Sequence, residues 1–352
     1  MEKKKGIWLK YFIYVSGILS FVVFVSVRFN HLPQAIVVDG IEDHGELYHI
    51  TYIDLFAQKI EDKIHFRERL YDPRRDINEA EILTFGDSFF EFPLEKPFSL
   101  RLADTLNRTV YHANSYYVME YLDTVNYVKG PPKILILDVV ERYFPYLFTE
   151  KHRLFLNQNP RPANDFYSKI FLEDAERKYT VFLQKSIFTH YLYSRVNTLK
   201  FNLLGYLPSQ VPKYSRDPLM GFYHETVNDG VTSAYYEWED DDIREMCDEI
   251  LALKNALKKE YNLELLLMPM PNAYTIYRNL INDSGYNNLL PRLYKGLGER
   301  NIRYIPLMDA FLAVDEMVYH GTDTHWNKKG QDIALKMVME ALDSFEKVTA
   351  NN

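Results

Sequence analysis

Ser88 stands just past an apolar run, in the stretch Ile82–Phe92, ILTFGDSFFEF. A serine hydroxyl is a poor nucleophile until a base takes its proton, and the base needs a partner that holds its tautomer and orientation. Far along the chain, GTDTHWNKKG supplies an acid and an imidazole close together, Asp323 and His325. On an extended or turned backbone this acid can reach back to Nδ1 of His325 and leave Nε2 to face a serine. The three residue types together suit nucleophilic acyl chemistry. Two other readings stand beside it: Ser88 as the polar cap of a following helix, and His320, Asp323 and His325 as metal ligands. No further ligand-rich segment points to a metal, so neither a metal nor another cofactor is expected.

Residues of this kind need rigid elements behind them. EILTFGDS reads as a strand, FSLRLADTL as a helix, TVYHANS as a strand, YYVMEYLDTVNYV as a helix and KILILDVV as a strand. The rhythm returns with a helix over 242–260, the strands LELLLMPMP and IRYIPL, and a closing helix KKGQDIALKMVMEALDSF. Near-continuous apolar strands separated by amphipathic helices predict an α/β domain over 81–352 with a parallel sheet covered on both faces. Ligands of such sheets sit beyond the carboxyl ends of the strands, where Ser88 stands. Between about 143 and 240 the alternation is lost. That insertion of helices and loops, rich in Tyr, Phe, Asn and Pro, is either a lid or aromatic binding wall, or a packing element on the sheet edge.

The chain has 352 residues, 47% of them hydrophobic, and a formal net charge of -8. That is ample for a packed core, and the acidic balance argues against nucleic acid as a partner. Cys247 is the only cysteine, so no internal disulfide exists. It lies in IREMCDEILALKNAL, where Ile243, Met246, Ile250, Leu253 and Leu257 share one helix face, which predicts a buried structural thiol. At the N-terminus, MEKKK precedes an apolar segment of spanning length over 7–27, interrupted only by Lys10. The lysines predict a cytoplasmic tail, residues 1–30 an anchor, and everything beyond an extracytoplasmic position. FVSVRF, residues 24–29, offers no small-x-small cleavage site, which favours an uncleaved anchor over a signal peptide. Residues 31–80 read as a stalk ending in the amphipathic helix TYIDLFAQKIEDKIHFRERLY, broken by DPRRD.

TFGDSF after the first strand and DTHW before the last helix resemble the serine and Asp/His blocks of the SGNH hydrolases. Among these, the branch with the alginate O-acetyltransferases and the Asp-His-His-Trp-type proteins is the most similar. ILILDVVERYF and LLLMPMPNAYTIY also resemble segments of that branch. The resemblance covers most of 80–345 outside the insertion. It implies a flavodoxin-like three-layer α/β/α sheet, with Ser88 as nucleophile, His325 as general base and acid, and Asp323 as orienting carboxylate. Here the serine precedes the Asp/His block, the order of ordinary SGNH esterases and of peptidoglycan O-acetyltransferases. The Gly-x-Asn-Asp block of the wider superfamily is not evident, and Asp138, Glu141 and Arg142 stand at that strand end.

The resemblance implies an extracytoplasmic O-acyltransferase, most simply an O-acetyltransferase, acting on hydroxyls of a cell-surface or secreted polysaccharide. Its partners would be that polysaccharide and a multi-pass membrane O-acyltransferase that exports acyl groups. An esterase with the same triad, D-alanyl transfer to teichoic acids and a non-catalytic polysaccharide-binding scaffold are the alternatives. Candidates for oxyanion or substrate binding are the Ser88 backbone N–H, Asn114, Arg142, Trp326, Tyr274 and Tyr277. Each has a plainer role: a helix cap for Asn114, an ion pair with Glu141 or Asp138 for Arg142, packing behind His325 for Trp326, and loop contacts for the two tyrosines. Asp87 is expected to accept backbone N–H bonds at the turn, and His112 to be a strand-end residue.

Overall fold

The computed structural model describes residues 76–91, 96–157 and 189–350, with isolated positions at 14–18, 20, 53, 55 and 186. The chain divides into two compact units, one of Met1–Ile41, Tyr52–Gln58 and Asn159–Tyr206, the other of Glu42–Thr51, Lys59–Gln158 and Leu207–Asn352. The larger unit carries the strands β1 (Ile82–Gly86), β2 (Val110–Asn114), β3 (Lys133–Val140), β4 (Lys213–Arg216), β5 (Leu219–Phe222) and β6 (Leu263–Met270). Four of them form one sheet in the order β2-β1-β3-β6, all parallel. β4 and β5 form a separate antiparallel hairpin.

Every residue of β1 and the last six of β3 are buried. Side chains alternate between the faces of a strand, so burial at successive positions means that both faces are covered. This is an α/β protein, and ILTF and LILDVV are apolar apart from the buried Thr84 and Asp138 for that reason. β1 and β2 run in register from Ile82 opposite Val110 to Gly86 opposite Asn114, so the two strands end level.

The described helices are α1 (Ser88–Glu91), α2 (Phe98–Leu106), α3 (Val118–Thr124), α4 (Phe144–Phe148), α5 (Glu150–Asn157), α6 (His190–Leu204), α7 (His224–Val227), α8 (Asp240–Ala256), α9 (Ala273–Tyr277), α10 (Leu289–Glu299), α11 (Leu307–Leu312) and α12 (Lys328–Ala350). Local chemistry sets several ends. At α8 the Asp242 carboxylate accepts the Glu239 N–H at 3.1 Å, and Asp240, Asp241 and Asp242 place negative charge at the positive end of the helix dipole. Asn107 closes α2 in the left-handed conformation at φ 51°. Ile243, Met246, Cys247 and Ile250 of α8 are buried as the helix periodicity predicts, and Leu253 is partly buried.

One expectation changes. IRYIPL does not form a strand: it touches the sheet through one parallel bridge, Tyr304 to Leu267, and α11 begins at Leu307. Pro306 has no N–H for a ladder, so the pairing stops there. The segment expected as an insertion at about 143–240 is divided between the units: residues to 158 and from 207 lie in the larger, and 159–206 in the smaller.

In the smaller unit, α6 has an inverted pattern. Asn197 is buried, while Leu192, Val196, Leu199 and Leu203, one stripe at helical spacing, are exposed. The anchor expected at 7–27 and the helix expected before DPRRD lie almost wholly outside the described residues. Among the described residues, no helix is long and apolar enough to cross a membrane.

Candidate active site

β1 ends at Gly86, whose φ of +153° few L side chains adopt. A Cβ there would fall on the side chain of Asp138, which rises from β3 beside it. The Asp87 N–H donates to Asp138 Oδ1 at 3.2 Å, and the Asp87 carboxylate accepts the Phe89 N–H at 2.9 Å. Asp87 therefore has the turn role its position predicts. The turn lifts Ser88 to the start of α1, while Phe89 and Phe90 anchor that short helix in the core. Burial first, and Asp87 second, push the Asp138 carboxyl well above the ordinary range, so it is held neutral.

The partner residues come from the segment before α12. Asp323 Oδ1 accepts the His325 backbone N–H at 2.8 Å and lies 2.5 Å from His325 Nδ1. His325 Nε2 is 2.6 Å from Ser88 Oγ, across 237 residues of sequence. With the carboxylate holding the Nδ1 proton, Nε2 is the acceptor for the Ser88 hydroxyl. Asp323 and His325 are buried and Ser88 is partly exposed. His325 and Asp323 are thus fixed by packing, and Ser88 stands where the cluster meets the surface.

The rest of that segment is a brace. The His320 N–H donates to the His325 carbonyl at 3.2 Å, the Gly221 N–H of β5 to the Gly321 carbonyl at 2.8 Å, and the Val318 N–H to the Tyr277 hydroxyl at 2.6 Å. Asn327 Nδ2 donates to the Met317 carbonyl at 2.7 Å, and Tyr319 donates to the Pro271 carbonyl. The His325 ring packs on Phe89 at 4.8 Å between centroids.

Several candidate residues take the plainer of their two roles. Trp326 is fully buried, wedged between Phe89 at 5.5 Å and Phe98 at 5.0 Å, and does not line a mouth. Tyr274 is also buried, its ring against Phe222 and Tyr235. Tyr277 spends its hydroxyl on the brace. Tyr274 nevertheless contributes to the lining of the crevice beside Asp323, and Tyr277 is partly buried. Asn114 Nδ2 donates to Glu91 of α1 at 2.8 Å, so it ties the level end of β2 to the serine helix. His112 is buried in β2, stacked on Phe90 and 3.1 Å from the Thr84 hydroxyl, and burial lowers its pKa to about 4 against the pull of Glu91.

Arg142 follows β3 in a single turn of tight helix. Its guanidinium reaches Asn272 Oδ1 at 3.5 Å and Glu225 at 3.8 Å, and lies over the rings of Tyr143 and Tyr223. With Phe89, Tyr223, Asn272, Asp323 and Thr324 it lines a narrow crevice beside the triad. Glu141 is buried under it and accepts the Asn272 N–H at 2.9 Å, the Tyr286 hydroxyl at 2.7 Å and the Thr275 hydroxyl at 2.5 Å. Glu141 thereby fixes the loop whose Asn272 meets Arg142.

A wider cleft opens at the same strand ends, roughly 530 Å³, walled by Tyr116, Tyr117, Tyr143 and Tyr146 with His224 and Glu225. The tyrosines closely follow β2 and β3, so their placement after strands was the available signal; Glu225 comes from α7 and Asn272 from the residue before α9, both distant in sequence. Among the described residues no group of His, Cys, Asp and Glu could hold a metal ion, and both ring nitrogens of His325 face Asp323 and Ser88. Compared with family models, curated proteins and solved structures, the chain matches none.

Proposed function

We propose that this protein is a membrane-anchored, extracytoplasmic O-acyltransferase working through an acyl-serine on Ser88. The observation that carries the reading is the contact of Ser88 Oγ with His325 Nε2 at 2.6 Å, with Asp323 at 2.5 Å behind the imidazole. In this scheme Nε2 takes the hydroxyl proton as Oγ attacks the acyl carbonyl of a donor ester. The tetrahedral adduct collapses, the donor alkoxide leaves with the proton from Nε2, and the acyl group stays on Oγ. An acceptor hydroxyl then gives its proton to Nε2 and attacks the acyl-serine, and the proton returns to Oγ as the serine leaves. Asp323 keeps the Nδ1 proton throughout and stabilises the imidazolium. The oxyanion donors in this reading are the Ser88 N–H and the Arg142 guanidinium, which sits in the crevice with Asp323. A polysaccharide is the acceptor, and a multi-pass membrane O-acyltransferase the source of acyl groups.

The sheet order β2-β1-β3-β6 supports the finer fold, since it starts the flavodoxin-like order 2-1-3-4-5, with ligands past the strand ends. The exposed leucine stripe of α6 supports a membrane-proximal setting, because a face of this kind belongs against lipid or protein. With water as acceptor the same residues make an esterase. Incubation with a chromogenic acetyl ester, with and without an oligosaccharide, separates the two: acetylated sugar marks transfer, and release to water alone marks an esterase. Ser88→Ala and His325→Ala are the controls, and the absence of any acyl-Ser88 in the wild type would reject both. For the anchor, the full chain should stay in the membrane pellet after an alkaline carbonate wash; release into the supernatant counts against it.

A further inference from the structure

Glu225 is the one carboxylate in the wall of the 530 Å³ cleft, His224 stands beside it, and among the described residues no lysine or arginine lines it. Asp87 interacts with Tyr116 of that wall. Arg142 is buried, within 3.8 Å of Glu225 and over the Tyr143 ring, and it lines the crevice that also holds Asp323. Burial, followed by the Asp87 and Asp138 carboxyls, holds the Tyr116 hydroxyl protonated. The remaining surface is aromatic: Tyr117 is more than half exposed, and Tyr143 and Tyr146 are partly exposed. Tyr116 and Tyr143 meet edge to face at 5.8 Å, which holds those two rings in place.

A pyranose has an apolar C–H face and a hydroxyl rim, and this lining offers a partner to each: ring faces for the first, and Glu225, Asn228 and Thr232 for the second. A polyuronate would bring a row of carboxylates to a wall with no lysine or arginine, where Glu225 already engages Arg142 at 3.8 Å. Carboxylates desolvated with no cation to receive them oppose association, which decides against a polyanion.

We infer that this cleft is the acceptor site and that it takes an uncharged glycan, stacked on Tyr117 and Tyr143 with Glu225 accepting sugar hydroxyls, and rejects polyuronates. The inference rests on the acyl-transfer reading for its place in the reaction, while the binding itself is independent of Ser88 chemistry.

The test uses the full chain in detergent with Ser88→Ala, titrated with a neutral β-1,4-glucan hexamer, a chitin hexamer and a hexameric oligouronate. At least one neutral hexamer should bind, and the oligouronate should bind on the order of tenfold more weakly or not at all. Tyr117→Ala, at an exposed position that the core does not use, should weaken the neutral hexamer by about tenfold. Glu225→Lys should narrow or reverse the preference. Equal or tighter binding of the oligouronate, no binding of any hexamer, or binding indifferent to Tyr117→Ala overturns the inference. Acylation of wild-type Ser88 by the chromogenic ester is read separately. If the ester acylates Ser88 but no neutral hexamer binds, the acceptor site falls and the acyl chemistry stands; if a neutral hexamer binds but Ser88 is never acylated, the glycan site stands and the acyl chemistry falls.

Discussion

Asp138 shows how one buried side chain can set the turn that carries Ser88. Its carboxyl fills the space beside Gly86 and accepts the Asp87 N–H, so the turn that raises Ser88 is built against a buried acid. Burial keeps that acid neutral, and a neutral amide of the same shape can replace it. Asp138→Asn should retain acylation of Ser88 within a few-fold at neutral pH. Asp138→Ala strands the Asp87 N–H and should cost about 1–3 kcal/mol of stability, with a large loss of acylation. Denaturation and ester-burst measurements on the two variants check this; equal damage from both would mean that the carboxyl itself is required and that a neutral amide of its shape does not replace it. The linkage has a definite sign. A carboxyl whose folded pKa is raised stabilises the fold at low pH and loses that contribution as pH climbs toward the raised value, and Asp138→Asn should remove this fall.

At the scale of elements, α8 and α10 pack where Gly296 faces Cys247. A Cβ on Gly296 would stand 2.6 Å from Cys247 Sγ, too close for either atom to stay. Burial also raises the Cys247 thiol to about 11, so it is inert packing material as its helix face predicts. Gly296→Ala gains about 1 kcal/mol of helix propensity but meets an overpacking cost of about 1–3 kcal/mol. The substitution should therefore be neutral to destabilising in the wild type and stabilising in a Cys247→Ala background. A double-mutant denaturation cycle measures the coupling, expected at about 1–3 kcal/mol; additive effects would show that the helices move apart freely.

For the molecule as a whole, His112 couples stability to acidity. Its folded pKa of about 4 lies below the ordinary 6.5, so its contribution is complete above pH 6.5 and is lost as pH falls through about 4. The span amounts to about 3 kcal/mol, since each unit is worth about 1.4 kcal/mol. Wild type should lose that much more stability between pH 7 and pH 4 than His112→Gln, measured by denaturant titration at each pH. Parallel curves would remove His112 from the acid response.

Read alone, the sequence determined the elements whose signal is local. ILTFGDS, KILILDVV and FSLRLADTL have the predicted structure because apolar runs and helix periodicity act over a few residues. The spacing of Asp323 and His325 also sufficed to make their pairing expected, since only one turn separates them. Tertiary structure decided what depends on distant chain segments. It placed Ser88 against a histidine 237 residues away, turned Trp326 and Tyr274 into the core, and reduced IRYIPL to one bridge. It also gathered Tyr116, Tyr143 and Glu225 into one cleft. Burial and ion pairing at these positions are set by neighbours brought in by sheet register and helix packing, and a local pattern carries no record of them.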